Sequence, residues 1–126
     1  GQDMATFSKL EDIQSWQKAR QVTRMIYQVT AGGEFAKDYG LRDQIRRASV
    51  SIMANIAEGF GRRSDKEFAN FLNMAHGSVS EVQSHLYVAL DLTYVERAEF
   101  DAMYSLLDEV SRMTLALAQR LRASKI

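Results

Sequence analysis

One run, residues 44–62, constrains the fold more than any other part of the sequence, because apolar side chains recur around it every three or four residues. That spacing places them on one side of an α-helix, since each residue turns the helix by about 100°. This apolar stripe consists of Leu41, Ile45, Ala48, Ile52 and Ile56. The pattern predicts a core-facing helix from Leu41 to Glu58, ended by Gly59 in the left-handed conformation that glycine tolerates.

A second stripe, of hydrogen-bonding side chains, follows the same run. It consists of Gln44, Arg47, Ser51, Asn55 and Glu58, which share about a quarter of the helix circumference. In a structural interpretation these groups bond across to Ser78, Glu81 or His85 on the next helix and fix its register. In a functional interpretation they line a groove for a ligand or nucleic acid. We favour the structural interpretation, because no aromatic residues alternate with the bases as a single-strand binding platform requires.

Three further helices are predicted from their ends and their apolar spacing. Ser-x-x-Glu capping boxes over 8–11 and 64–67 mark helix starts, because their side chains satisfy free backbone N–H groups. The first helix therefore covers 8–30, a loop covers 32–40, the third helix starts at Ser64, and the fourth covers about 96–121. No strand-like alternation is present, so the fold class is all-α: an antiparallel up-down-up-down four-helix bundle.

The bundle fits a single domain, residues 8–123, after an N-terminal tail over 1–7. The first three residues of the tail resemble a cloning remnant before Met4.

Two features predict tight packing. Gly77, in the middle of the third helix, destabilises a helix by about 1 kcal/mol relative to alanine unless close approach of another backbone compensates, so we predict a close helix crossing there. The fourth helix carries more apolar side chains than one face requires, which is typical of a subunit contact. The additional apolar residues are Leu106, Met113 and Leu115.

Composition and charge narrow the classes of function. The 126 residues have zero net charge and include no proline. Cysteine is also absent, which fits a reducing cytoplasm and excludes thiolate chemistry. No run of about 20 apolar residues is present, so we expect no membrane segment. Residues 42–66 hold six bases against three acids, whereas residues 67–109 hold eight acids against one base. The zero sum argues against strong, indiscriminate nucleic-acid binding.

Catalytic and metal sites have weak support. Glu81 and His85 are a four-residue pair, and His76 stands alone, so the ligand set of a metal-binding bundle is absent from the sequence. Neither Ser51 nor Ser78 lies in a nucleophile-elbow sequence. We therefore predict no enzymatic activity, metal, cofactor or small-molecule substrate.

The arginines at the two ends of the run are the strongest candidates for a partner site. Arg42 and Arg46 precede the polar stripe, while Arg62 and Arg63 follow it in the turn before the third helix. A helix start with arginines and free N–H groups can bind an anion such as an RNA phosphate.

The sequence resembles a family of small four-helix-bundle proteins encoded in intervening sequences of bacterial 23S ribosomal RNA genes, over about Phe7 to Leu121. The matching elements are Trp16, Leu41, Gln44-Ile45-Arg46-Arg47-Ala48, Ser51-Ile52, Asn55-Ile56-Ala57-Glu58-Gly59, Arg62, Phe68, Phe71-Leu72, Ala75, Gly77-Ser78 and Glu81. Family members commonly have proline where this chain has Ala36 and Met53, so a proline kink is not expected here.

The resemblance implies a non-enzymatic homo-oligomer, most often a pentamer, of poorly defined role. Relatives include the accessory variability protein of diversity-generating retroelements, which associates with nucleic acid and a reverse transcriptase. Those relatives are strongly basic, whereas this chain is neutral. We therefore expect an oligomeric scaffold whose partner is RNA or an RNA-handling protein. The alternative is direct binding of RNA or DNA through Arg42, Arg46, Arg62 and Arg63.

Overall fold

The computed structural model describes residues 7–124, and all regular structure in this range is helical, which confirms the all-α prediction. The predicted tail and its cloning remnant lie outside the described residues except for Phe7, which packs against the core. A short 3₁₀ helix, Leu10–Asp12, comes first. The α-helices are α1 (Gln14–Val29), α2 (Gly33–Lys37), α3 (Tyr39–Phe60), α4 (Asp65–Asp91) and α5 (Arg97–Ala123).

The four long helices pack as a bundle around one apolar core. α3 packs against α4, α4 against α5, and α1 against both α3 and α5, so α1 and α4 occupy opposite corners with at most marginal contact. The largest fully buried side chains come from every long helix and include Ile26, Ile45, Ile52, Ile56, Phe68, Leu72, Leu86, Met103, Leu107 and Leu121. The predicted apolar stripe of α3 is therefore in the core.

The predicted capping box at Ser8 is wrong in its partner and in its helix. The carboxylate of Asp12, not that of Glu11, accepts hydrogen bonds from the Ser8 backbone N–H at 3.1 Å and from the Lys9 N–H at 3.2 Å. These bonds close the 3₁₀ helix, and α1 begins only at Gln14. A carboxylate one residue further along therefore satisfies the free N–H groups.

Of the second predicted capping box, the serine half is present. The Ser64 hydroxyl accepts a hydrogen bond from the Glu67 N–H at 3.1 Å, and α4 begins at the next residue, Asp65.

The segment predicted as a loop over 32–40 contains helix α2. Its Phe35 is fully buried against the ring of Tyr94, with centroids 5.2 Å apart. Asp38 then begins α3 by accepting a hydrogen bond from the Leu41 N–H at 3.2 Å. The same carboxylate accepts a hydrogen bond from the Tyr94 hydroxyl at 2.9 Å. α3 therefore starts two residues before its predicted beginning, because Asp38 supplies the cap.

Neither of the two glycines to which the sequence assigned special roles fills the predicted one. Gly59 is not a left-handed cap: α3 continues through Phe60, and its cap Gly61 has a right-handed φ of −78°. A Cβ at Gly59 would lie 2.7 Å from the Phe71 Cβ, so the close helix crossing is here. The close crossing predicted at Gly77 is wrong, since a Cβ there would meet no atom of residues 7–124 within 4 Å.

The additional apolar set predicted on the fourth helix is mostly covered. Leu106 is buried and Met113 is half-buried, while Leu115 is 38% exposed. Other exposed large apolar side chains lie on α4 and just after it: Tyr87, Val88 and Leu92 near its end, and Met74 about 20 Å earlier along the helix.

Candidate arginine and tyrosine surfaces

The centre of the polar stripe on α3 bonds to α4. The hydroxyls of Ser51 and Ser78 are 3.0 Å apart, and the side-chain amide of Asn55 donates to the Ser51 hydroxyl at 3.2 Å and to its carbonyl at 3.0 Å. All three residues are half-buried. This small network matches the structural interpretation for these three side chains.

The rest of the stripe faces outward. Gln44, Arg47 and Glu58 are exposed. The Glu58 carboxylate pairs with Arg62, which lies just after the end of α3, at 2.7 Å. On α4, the Glu81 carboxylate lies 3.4 Å from the His85 ring. Neither acid reaches across the α3 and α4 contact, so the network that joins these helices is smaller than the sequence suggested.

Arg46 binds the end of α1. Its Nε donates to the Thr30 hydroxyl at 2.7 Å, and its guanidinium lies 4.5 Å from the centre of the Tyr27 ring. Thr30 is fully buried, and its hydroxyl donates in turn to the Ile26 carbonyl at 2.7 Å. A cation at this end of α1 also interacts favourably with the helix dipole. Arg46 therefore anchors α1 to α3.

Arg42 makes a similar contact one turn earlier. It donates to the Ala36 carbonyl at 3.1 Å and to Asp43 at 3.0 Å, and its guanidinium lies 4.9 Å from the centre of the Tyr39 ring. Tyr39 is 65% exposed and Tyr27 is 41% exposed. In the sequence no aromatic residues alternate with the bases of this run. In the folded protein, however, two tyrosine rings lie against Arg42 and Arg46. Tyr27 comes from another helix, and Tyr39 lies one turn before Arg42.

The other two candidate arginines lie at the opposite end of α3. Arg62 pairs with Glu58, and its guanidinium lies 4.8 Å from the centre of the Phe71 ring. Arg63 is exposed and makes no hydrogen bond or ion pair within residues 7–124. Fourteen residues of α3 follow Arg46 and Arg62 lies two residues further in the turn, which places the two arginines about 21 to 24 Å apart. The four arginines therefore form two separate surfaces, named here the tyrosine end (Tyr27, Tyr39, Arg42, Arg46) and the turn end (Arg62, Arg63).

A serine and histidine pair was not predicted from the sequence, because its two members lie on different helices. The Ser111 hydroxyl lies 2.9 Å from His76 Nδ1. Within residues 7–124 no carboxylate forms a hydrogen bond or ion pair with the His76 ring, as the third member of a catalytic triad would. The described residues also contain no group of three or more His, Cys, Asp or Glu side chains suited to a metal ion.

A groove of ≈330 Å³ lies between the start of α1 and the end of α5. Its lining includes Phe7, Met113 and Ser15. The Ser15 hydroxyl is buried without a hydrogen-bond partner among residues 7–124. Sequence patterns gave no signal for this groove, because it depends on how the 3₁₀ segment passes α5.

None of the helices within residues 7–124 is both long and apolar enough to cross a membrane. The fold and its surfaces define the class: a helical-bundle protein with two separate arginine surfaces. The sequence matches the family of 23S rRNA-intervening sequence proteins over residues 11–116, which is most of the chain. The chain belongs to this family, as the resemblance indicated.

A solved structure has the same fold. It is a protein of unknown function from the S23 ribosomal protein family of Bacteroides thetaiotaomicron, 22% identical, with a TM-score of 0.75. The match covers 83% of this chain and 98% of the other. No protein of curated function matches the sequence.

Proposed function

We propose that the protein is a non-enzymatic, homo-oligomeric scaffold of the cytoplasm. The observation that carries this proposal is the apolar surface of α4: Met74, Tyr87, Val88 and Leu92 are between 42% and 54% exposed. Tyr87, Val88 and Leu92 lie within about two turns of one another at the end of α4, and neighbouring exposed apolar side chains mark an interaction surface. Met74 lies about 20 Å earlier along the helix. Ring closure at five copies is the state that the family resemblance favours.

The unit that assembles is, in this proposal, an antiparallel up-down-up-down four-helix bundle. The order of side-chain contacts supports it. From Thr23 to Thr30 along α1, the partners on α3 go backward, from Ser49 to Arg46. The same reversal holds between α4 and α5, where His76 and Gln83 contact Ser111 and Asp108. Short α2 stands outside this up-and-down order.

The partner of the scaffold is RNA or an RNA-handling protein in our proposal, in accordance with the ribosomal RNA genes that encode the family. The zero net charge favours an indirect association through a protein over a strong electrostatic one.

Sedimentation velocity over a range of protein concentrations tests the assembly. We expect a pentamer that Met74→Asp weakens, because a charge at an apolar contact must be desolvated. The matched control is Leu115→Asp, which alters an exposed apolar residue on α5. A wild-type chain that is monomeric at every concentration would overturn the proposal.

A second candidate function, direct binding of single-stranded nucleic acid, is favoured by one observation. At the tyrosine end, two guanidinium groups lie within 4.9 Å of exposed tyrosine rings, which offers stacking faces beside positive charge. The turn end, Arg62 and Arg63, supplies a separate basic contact about 21 to 24 Å away.

Fluorescence anisotropy with a labelled single-stranded RNA tests this candidate at 50 and 200 mM salt. Tyr39→Ala should weaken binding about 5- to 150-fold, since stacking of one base contributes about 1 to 3 kcal/mol. Tyr39→Phe, which keeps the ring, is the control and should bind like the wild type. No binding at 50 mM salt would exclude this function.

A further inference from the structure

Two helices on opposite corners of the bundle carry opposite charge. Over Gln14–Val29, α1 holds Lys18, Arg20 and Arg24 and no acid. Over Asp65–Asp91, α4 holds Asp65, Glu67, Glu81 and Asp91 against Lys66 alone. Because α1 and α4 are at most in marginal contact, their charges do not pair with each other within one chain, although Lys18 pairs with Glu109 of α5 at 3.3 Å. The zero net charge of the protein thus hides a strong division of charge across it.

Two side-chain contacts between helices show which residues lie at the same height along the bundle axis. The Thr23 hydroxyl donates to the Ser49 carbonyl at 3.2 Å, so residues 23 and 49 are level. The hydroxyls of Ser51 and Ser78 are 3.0 Å apart, so residues 51 and 78 are level too. Since α3 descends as α4 ascends, residue 49 is level with about residue 80. Within about one helical turn, Arg24 of α1 is therefore level with Glu81 of α4.

The outward faces of the two helices also differ in shape. The outward face of α1 is an open, polar surface formed by Gln14, Gln17, Lys18, Arg20, Gln21 and Arg24. The outward stripe of α4 presents Met74, which is 54% exposed, then Gly77 and Glu81, one or two turns apart. A Cβ at Gly77 would meet no atom of residues 7–124 within 4 Å, so these residues leave the space beside it open. A neighbouring helix can approach closely there.

We infer that α1 of one copy packs against α4 of the next copy, with Arg24 facing Glu81. Such a contact joins two different surfaces, so it is heterologous, and it gives a ring about an axis parallel to the helices when the rotation between neighbouring copies divides a full turn. Copies related by that axis keep the same height, which brings the level residues Arg24 and Glu81 together. The inference rests on the proposed self-association and specifies its two surfaces. A nucleic acid on α1 is less favoured, because it would leave the acidic and apolar α4 face uncovered.

A charge-swap experiment tests the contact by sedimentation velocity. Arg24→Glu and Glu81→Arg, each alone, should raise the subunit dissociation constant about tenfold or more, because like charges would then face each other. The double variant should recover the assembly of the wild type. Arg112→Glu, an exposed arginine on α5, is the matched control and should assemble normally. Circular dichroism of each variant verifies that the monomer is folded.

Each contrary result has a distinct meaning. An oligomeric wild type whose assembly Arg24→Glu leaves unchanged would overturn the α1 and α4 contact while self-association stands. Failure of the folded double variant to recover assembly would overturn it as well. A monomeric wild type would remove self-association itself. If Arg24→Glu abolished binding of a labelled RNA but left the oligomer intact, α1 would be a nucleic-acid surface and the inference would be wrong.

Discussion

Gly59 of α3 and Phe71 of α4 approach so closely that a Cβ on the glycine would lie 2.7 Å from the Phe71 Cβ. The Cβ added at residue 59 would also lie 2.9 Å from the ring of Phe68, which is fully buried. Real Cβ atoms do not tolerate such distances, so any side chain at residue 59 must push the two helices apart. The absence of a side chain at Gly59 therefore sets the spacing between α3 and α4 at this end of the bundle.

We predict that Gly59→Ala lowers the free energy of unfolding by about 1 to 3 kcal/mol, the usual effect of overpacking a core. Urea denaturation followed by circular dichroism measures the change. Gly61→Ala is the control, because Gly61 has a φ of −78° and its Cβ would meet the nearest atom at an ordinary 3.6 Å. Equal stabilities of the two variants would show that α4 yields without cost.

The Ser51 and Ser78 pair predicts a second effect on stability. Ser51→Ala removes the partner of the Ser78 hydroxyl and one acceptor of Asn55, so we expect a loss of about 1 kcal/mol. Ser78→Ala should cost a similar amount, and the double variant should cost less than the sum by at least about 0.5 kcal/mol. A double-mutant cycle in urea measures this coupling. Strict additivity would mean that the hydroxyls do not act on each other.

The sequence predicted the helices well because core burial dominates their pattern. The stripe from Ile45 to Ile56 is buried as its spacing indicates, and Ser64 caps α4 as its motif indicates. Local signals failed where two neighbouring groups compete for one role. Asp12 replaces Glu11 at the first cap, and Gly61 replaces Gly59 at the end of α3. These choices depend on packing partners that a motif does not contain.

The candidate surfaces were harder to predict, because they combine helices that are distant in sequence. The polar stripe correctly indicated Ser51 and Ser78, which lie on consecutive helices joined by a short turn. The contact of Arg46 with Tyr27 and Thr30 has no local signature, since it joins α3 to the end of α1. Helix periodicity predicts on which face of its helix a side chain lies, but not which residues of another helix contact that face.

Neighbouring arginines on α3 give a third prediction. Arg46→Gln should lower the free energy of unfolding by about 1 to 2 kcal/mol, because it removes a charged donor from the buried Thr30 hydroxyl. Arg47→Gln is the matched control, since Arg47 is exposed and makes no hydrogen bond or ion pair within residues 7–124. It should change stability by less than about 0.5 kcal/mol. Thermal and urea unfolding measure both variants, and equal effects would mean that Arg46 is not an anchor.

The hydrogen bond from Tyr94 to Asp38 predicts how stability depends on alkaline pH. The bond, then burial, raises the pKa of Tyr94 above its ordinary value near 10. A raised pKa in the folded state stabilises the protein fully below the unfolded pKa, and this contribution is lost as pH rises through the folded pKa. Tyr94→Phe should therefore be less stable than the wild type at pH 8, and the difference should shrink above pH 10. Urea unfolding at several pH values measures it, with Tyr39→Phe, an exposed tyrosine, as control. A difference independent of pH would contradict the coupling.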